Sequence, residues 1–129
     1  MEQLLYTSTA NAGLAADELF KIVTVSARNN PARAVTGFLV FADGAFLQLI
    51  EGDRSDLDEL LGILARDPRH RGIAVKARRP IDSRSFPSWR MQRIDTSGRD
   101  VQVALAPLRS AGLKGEMLEQ VEEFVRAAA

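Results

Sequence analysis

Phe46-Leu47-Gln48-Leu49-Ile50 is a run of hydrocarbon side chains interrupted by one amide. With a period of two, Gln48 shares a face with Phe46 and Ile50 while Leu47 and Leu49 point the other way, so neither face reads as solvated. The run is therefore predicted to be a buried strand. A primary amide in such a place brings two donors and an acceptor, and leaving them unpaired costs about 1–3 kcal/mol. The core must supply Gln48 with a polar partner, and that partner decides what the chain does.

Upstream of this run lies Ala42-Asp43-Gly44, and Asp-Gly is a strong tight-turn signal, so Val35 to Phe41 and Ala45 to Glu51 form a hairpin. Gln3 to Ser8 reads as a short strand and Thr9 to Gly13 as a turn. Leu19, Ile22, Val23 and Ser26 then make one face of a helix from about Leu14 to Arg28. Asn29-Asn30-Pro31 stops it, because Pro31 biases Asn30 away from the helical region. Downstream, Asp53 or Ser55 caps a second helix on which Leu57, Leu60, Leu61 and Leu64 recur at helical spacing as far as Asp67-Pro68. Ile73 to Val75, continuing toward Ala77, and Trp89 to Ile94 are two more strands, separated by a loop over Pro80 to Ser88.

The order βαββαββ predicts an α+β, ferredoxin-like sandwich with both helices on one face of the sheet. The other face needs cover, and the residues after Ser97 offer it. Val101 to Leu108 is a shorter helix, and Met117, Leu118, Val121, Phe124 and Val125 form an apolar stripe from about Lys114 to Ala128. Residues 1–95 are thus expected to be the folded unit, and 96–129 a helical extension that packs on the sheet or in an oligomer interface.

Composition narrows the function. The 129 residues make one domain, and 17 basic against 17 acidic residues leave no net field of the kind that draws a protein to nucleic acid. With no cysteine and the single His70, a thiolate metal site, a cysteine nucleophile and a catalytic triad are all excluded. No 18-residue apolar stretch and no basic leader occur, so neither membrane spanning nor export is expected and a cytoplasmic location is.

Taken together, the polar and aromatic landmarks resemble the BLUF family, receptors that sense blue light with a flavin. The residues carrying the resemblance are Leu5-Tyr6-Thr7-Ser8, Ser26 with Asn29-Asn30, Thr36-Gly37, residues 46–52, Asp67-Pro68-Arg69-His70 and Phe86-Pro87-Ser88-Trp89-Arg90-Met91. Tyr6, Asn30, Gln48 and Trp89 are separated by 30 − 6 = 24, 48 − 30 = 18 and 89 − 48 = 41 residues, the separations the family keeps. Singly, each has an ordinary explanation: Tyr6 and Trp89 as core aromatics, Asn29-Asn30 as a helix exit, Met91 as gap filler, His70 as a solvated loop residue. Their joint occurrence carries the weight.

The resemblance implies a cofactor and a mechanism. FAD is the implied flavin, with FMN or riboflavin presenting the same ring. Tyr6 would give an electron and then a proton to the excited flavin, the radical pair would recombine, and Gln48 would change orientation or tautomer. Asn30 would meet the ring edge and Asn29 would sit nearby, with Ser26 beside them on the same helix. Ile22 and Leu64 would clasp the ring, Phe46 would lie beneath it, and Asp67, Arg69 and His70 would approach the ribose or phosphate. Trp89 and Met91 would report the change along the last strand. Three departures from the family pattern, Ile63, Arg90 and Gln92-Arg93, bear on the second helix and on that strand.

A non-enzymatic photosensor signalling through protein contacts is therefore expected, as a homo-oligomer with a separate downstream protein. A ferredoxin-like dimerisation module without photochemistry is the alternative, opposed by the intact Tyr6, Asn30 and Gln48 set. An acylphosphatase-like hydrolase is opposed by the lack of any basic residue between Thr7 and Gly13.

Overall fold

The computed structural model describes residues 1–10, 35–42, 44–66, 70–94, 96 and 100–127. Five strands, β1 (Glu2–Ala10), β2 (Thr36–Ala42), β3 (Ala45–Gly52), β4 (His70–Pro80) and β5 (Arg90–Ile94), form one sheet in the order β4-β1-β3-β2-β5. β3 runs antiparallel to both β1 and β2, and β1 antiparallel to β4, which is the ferredoxin-like arrangement. β5 joins β2 in parallel at the far edge.

The central position of β3 explains its hydrocarbon content. Helix α1 (Arg54–Ala65) places Leu57, Leu60 and Leu64 against Leu4, Tyr6 and Ile50 on one face. On the other face α2 (Val101–Ser110) and α3 (Gly115–Ala127) bring Leu105, Leu108, Met117, Val121 and Val125 onto Leu5, Phe38, Val40, Leu47 and Leu49. A strand buried on both sides has no solvated alternation to display. Each such side chain contributes about 1.5–3 kcal/mol through burial.

Local signals behave as their chemistry requires. Asp53 stands at the start of α1 with extended backbone and accepts the Leu57 N–H on its carbonyl at 3.0 Å, although its side chain makes no capping bond. Ser55 lies inside the first turn. At α2 the Asp100 carboxylate accepts the Gln102 N–H at 2.8 Å, a side-chain cap. Arg78 reaches from β4 to Glu2 and to Asp58 of α1, at 2.8 Å each, so one guanidinium ties strand, strand and helix together. The hydrogen bond it donates to Glu2, and then that to Asp58, hold its pKa above the ordinary value.

Two strands differ from expectation. β4 spans His70–Pro80, far beyond Ile73 to Ala77, because pairing with β1 along its length holds a segment in which exposed charged residues interrupt the apolar ones. Arg71, Lys76 and Arg79 are exposed along this edge, charges of the kind that deter edge-to-edge pairing. β5 begins at Arg90, so Trp89 stands just before the strand. The predicted helix over 14–28, with Ile22, Ser26, Asn29 and Asn30, lies outside the described residues, as do Asp67 and Arg69. Among the described residues no helix is long and apolar enough to cross a membrane.

Candidate functional site

Tyr6 and Gln48 are direct cross-strand partners at the centre of the sheet, and both are fully buried. Residues so paired stand side by side on one face, within reach of one another. The Tyr6 hydroxyl donates to Gln48 Oε1. The phenol of the neighbouring strand is thus one polar partner of the amide. Leu39 flanks Gln48 from β2, Phe46 shares its face by alternation, and Leu64 of α1 belongs to the same cluster as Tyr6. Phe46 also stacks on Phe41 with ring centroids 4.7 Å apart.

Burial pushes the Tyr6 phenol far above its usual pKa, because an anion here would lose its hydration. The ground-state hydroxyl is therefore a donor and not a phenolate. Below pH about 10 this leaves stability unchanged. Above that, the unfolded chain releases a proton that the folded chain keeps, so stability falls by about 1.4 kcal/mol per pH unit. Tyr6 is the single tyrosine. Alkaline titration should show no phenolate absorbance until the protein unfolds, and a phenolate rising in the folded protein near pH 10 would contradict its enclosure.

Trp89 is on the other side of the sheet. Its ring packs half-buried against the α2 and α3 face, 4.9 Å from Phe86 and 6.4 Å from Phe38. Its carbonyl accepts the Gly37 N–H at 2.8 Å, which brings the end of the 81–89 loop onto β2. Met91 lies on β5, and His70 opens β4 opposite Ala10. The structure thus joins Tyr6, Gln48, Phe46 and Leu64 on one face and places Trp89 on the reverse. A cavity of about 400 Å³ lined by Leu5, Thr7, Leu47, Lys76, Glu123 and Phe124 also belongs to that reverse face, so it does not open on Gln48. Among the described residues no cluster of His, Cys, Asp or Glu could hold a metal ion.

A second buried polar group was not singled out from the sequence. Glu51, Gln3 and Thr36 are cross-strand partners in one row, continued by Arg79 of β4. Glu51 and Gln3 are completely buried. Gln3 Nε2 donates to Glu51 Oε2 at 2.8 Å, and Arg79 donates to Gln3 Oε1 from Nη2 at 2.8 Å and Nε at 3.1 Å. The alternation that exposed Gln48 also puts Glu51 on the buried face of Leu47 and Leu49, and that was the available signal.

A phenol and a carboxamide enclosed by Leu4, Leu39, Phe46, Ile50 and Leu64 suit a flat heteroaromatic group with carbonyl and ring-nitrogen acceptors on one edge. A flavin has that chemistry.

Known proteins share this fold and part of its sequence. The alpha subunit of photoactivated adenylate cyclase from Euglena gracilis is 33% identical over 94 residues, 71% of this chain but 9% of that protein. The chain spans roughly a tenth of the length of the curated relatives it matches. The dark-state structure of BlrB, a BLUF protein, is 31% identical with a TM-score of 0.72, covering 99% of this chain and 96% of that one. Klebsiella pneumoniae BlrP1 with FMN and cyclic diGMP reaches a TM-score of 0.84 at 24% identity, covering 97% and 34%, a likeness of fold. Sheet order and covering helices define an α+β domain of the kind seen in that BLUF structure. The family model described as sensors of blue-light using FAD matches residues 1–92, and the chain belongs to that family, BLUF. It is a flavin-binding blue-light photoreceptor.

Proposed function

We propose that the domain holds FAD non-covalently against the Tyr6 and Gln48 face, and that these two residues are its switch. The hydrogen bond from the Tyr6 hydroxyl to Gln48 Oε1 in the middle of the sheet carries this reading. Bound flavin supplies absorption of blue light and, once excited, a place for one electron. Tyr6 is the donor: burial keeps its proton in place in the dark, and loss of an electron makes the phenol strongly acidic. The oxygen positioned to relay that proton toward the flavin is Gln48 Oε1. Gln48 then changes its orientation or tautomer, while electron and proton return to Tyr6, so the chemistry is reversible. An amide's oxygen and nitrogen ends are nearly isosteric, so the pattern of donors and acceptors inverts without a change in packed volume.

Asn30 and Asn29 on the ring edge, Ser26 beside them, Ile22 and Leu64 as the clasp, and Asp67, Arg69 and His70 toward the ribose or phosphate complete the proposed site. Residues 1–95 form the flavin unit and 96–129 its cover. The match to cyclases touches a small part of their length, so catalysis there is assigned to other parts, and this domain signals by changing protein contacts. A second copy of the chain and a separate downstream protein are the proposed partners, with Trp89, Met91 and the tail as the route outward.

The absorption spectrum before and after blue illumination tests the proposal. A yellow protein is expected, with a small red shift that decays in the dark and FAD recovered on extraction. A protein that stays colourless after incubation with FAD, or a spectrum indifferent to light, would overturn it.

A further inference from the structure

We propose that Glu51 is a positioning residue through which the strand carrying Gln48 holds, and in light loosens, the loop that presents Trp89; this rests on the photoswitch reading above. Gln48 and Glu51 lie three residues apart on β3, so they project from opposite faces, one beside Tyr6 and the other among the residues under α2 and α3. The Glu51 carboxylate accepts two successive loop amides: Ser85 N–H at 2.9 Å on Oε2 and Phe86 N–H at 2.8 Å on Oε1. Gln3 Nε2 shares Oε2. Arg84 adds a second tie, donating to the Glu51 carbonyl at 2.8 Å and to Thr36 Oγ1 at 2.9 Å.

From there the contacts reach Trp89. The Phe86 ring is buried 4.9 Å from Trp89, and the Trp89 N–H donates to the Phe86 carbonyl at 3.3 Å. Trp89 is in turn held by Gly37 of β2. Residues 81–89 have no strand pairing of their own, so the carboxylate and these few bonds, with the Ile81 N–H on the Met1 carbonyl at 3.1 Å and the Phe86 ring on Phe38, fix where the loop sits.

Packing alone does not call for this device, since a buried carboxylate is costly unless its bonds are made, and an apolar side chain would fill the space. Hydrogen bonds weaken steeply with angle and distance, whereas the packed strand moves as a unit. A small displacement of β3 when the Gln48 amide turns over is therefore transmitted to two directional bonds on the far face. Glu51 makes the loop position a two-state element that the switch biases.

The flavin-loaded full chain tests this by amide exchange in the dark and under continuous blue light. Ser85 and Phe86 are expected to exchange at least about tenfold faster in light, with Val121 in α3 unchanged. Rates within about twofold of the dark values, alongside a normal flavin red shift, would overturn the clamp while leaving photoreception intact. Absence of the red shift itself would sink both.

Glu51→Gln gives a second reading in protein labelled with 5-fluorotryptophan, because Trp89 is the single tryptophan. The variant keeps its red shift, but its light-minus-dark fluorine shift is expected to fall below about half the parent's. A full fluorine shift in Glu51→Gln would refute the proposal. If that variant does not fold, exchange in the unsubstituted protein decides the matter.

Discussion

Gly37→Ala is expected to lower the thermal midpoint by about 10–20 °C. A Cβ at this position would sit 1.9 Å from the Leu49 carbonyl oxygen and 2.9 Å from its carbon, both backbone atoms of the adjoining strand that no rotamer change can move. Its φ of 147° adds strain for any L side chain. Backbone strain of about 1–3 kcal/mol and overpacking of similar size make about 2–6 kcal/mol together, with about 4 as the middle of the range. A domain of this size has about 5–15 kcal/mol in all, and each kcal/mol shifts the midpoint by about 3–5 °C. Gly44→Ala separates the two causes, since φ there is 76° but nothing lies within 4 Å of the added carbon. That variant should lose only about 1–2 kcal/mol. Equal midpoints for the two variants would show that the close approach of β2 to β3 is not what demands glycine.

The sequence made the centre of the sheet legible because burial on both sides erases the polar alternation of residues 46–50, and Asp43-Gly44 sets the adjoining hairpin. Leu57, Leu60 and Leu64, and Met117, Val121 and Val125, announced the covering helices by spacing alone, and they do cover opposite faces. β4 was harder. An edge strand has one neighbour and little buried surface, so Arg71, Lys76 and Arg79 blur the pattern that pairing with β1 then enforces. The face taken by Trp89 depends on how β5 registers against β2, and that ladder shifts between Gly37 and Phe38. No local periodicity contains that shift. Glu51 escaped notice because a charged residue just before Gly52 reads as a strand leaving the core, whereas tertiary contacts from Gln3 and the 84–86 backbone keep it inside. That Gln48 needs a polar partner was readable from the strand alone, whereas Tyr6 as that partner came only from the resemblance, because nothing local in the sequence pairs β1 with β3.

Tyr6→Phe and Gln48→Leu should both keep the yellow colour and lose the light-induced red shift, to below about a tenth of the parent's amplitude, because each removes half of the buried donor–acceptor pair. Tyr6 is the single tyrosine, and Trp89, the other readily oxidised ring, packs on the reverse face. Tyr6→Phe deletes the proton and takes from Gln48 Oε1 the donor it has in the parent, which costs about 1–3 kcal/mol of stability. Gln48→Leu is the sharper test. Leucine nearly preserves volume, so the strand stays packed, but it has no two ends to exchange and gives the Tyr6 hydroxyl no acceptor. In the parent each exchanged hydrogen bond is worth about 1 kcal/mol, roughly a fivefold change in population, and a swap of two or three such bonds biases a two-state core without opening a void. A red shift surviving in Tyr6→Phe but not in Gln48→Leu would keep the amide as the switch and remove Tyr6 as donor. An unaltered photocycle in both variants would mean that the buried pair is structural and that light is read elsewhere in the chain.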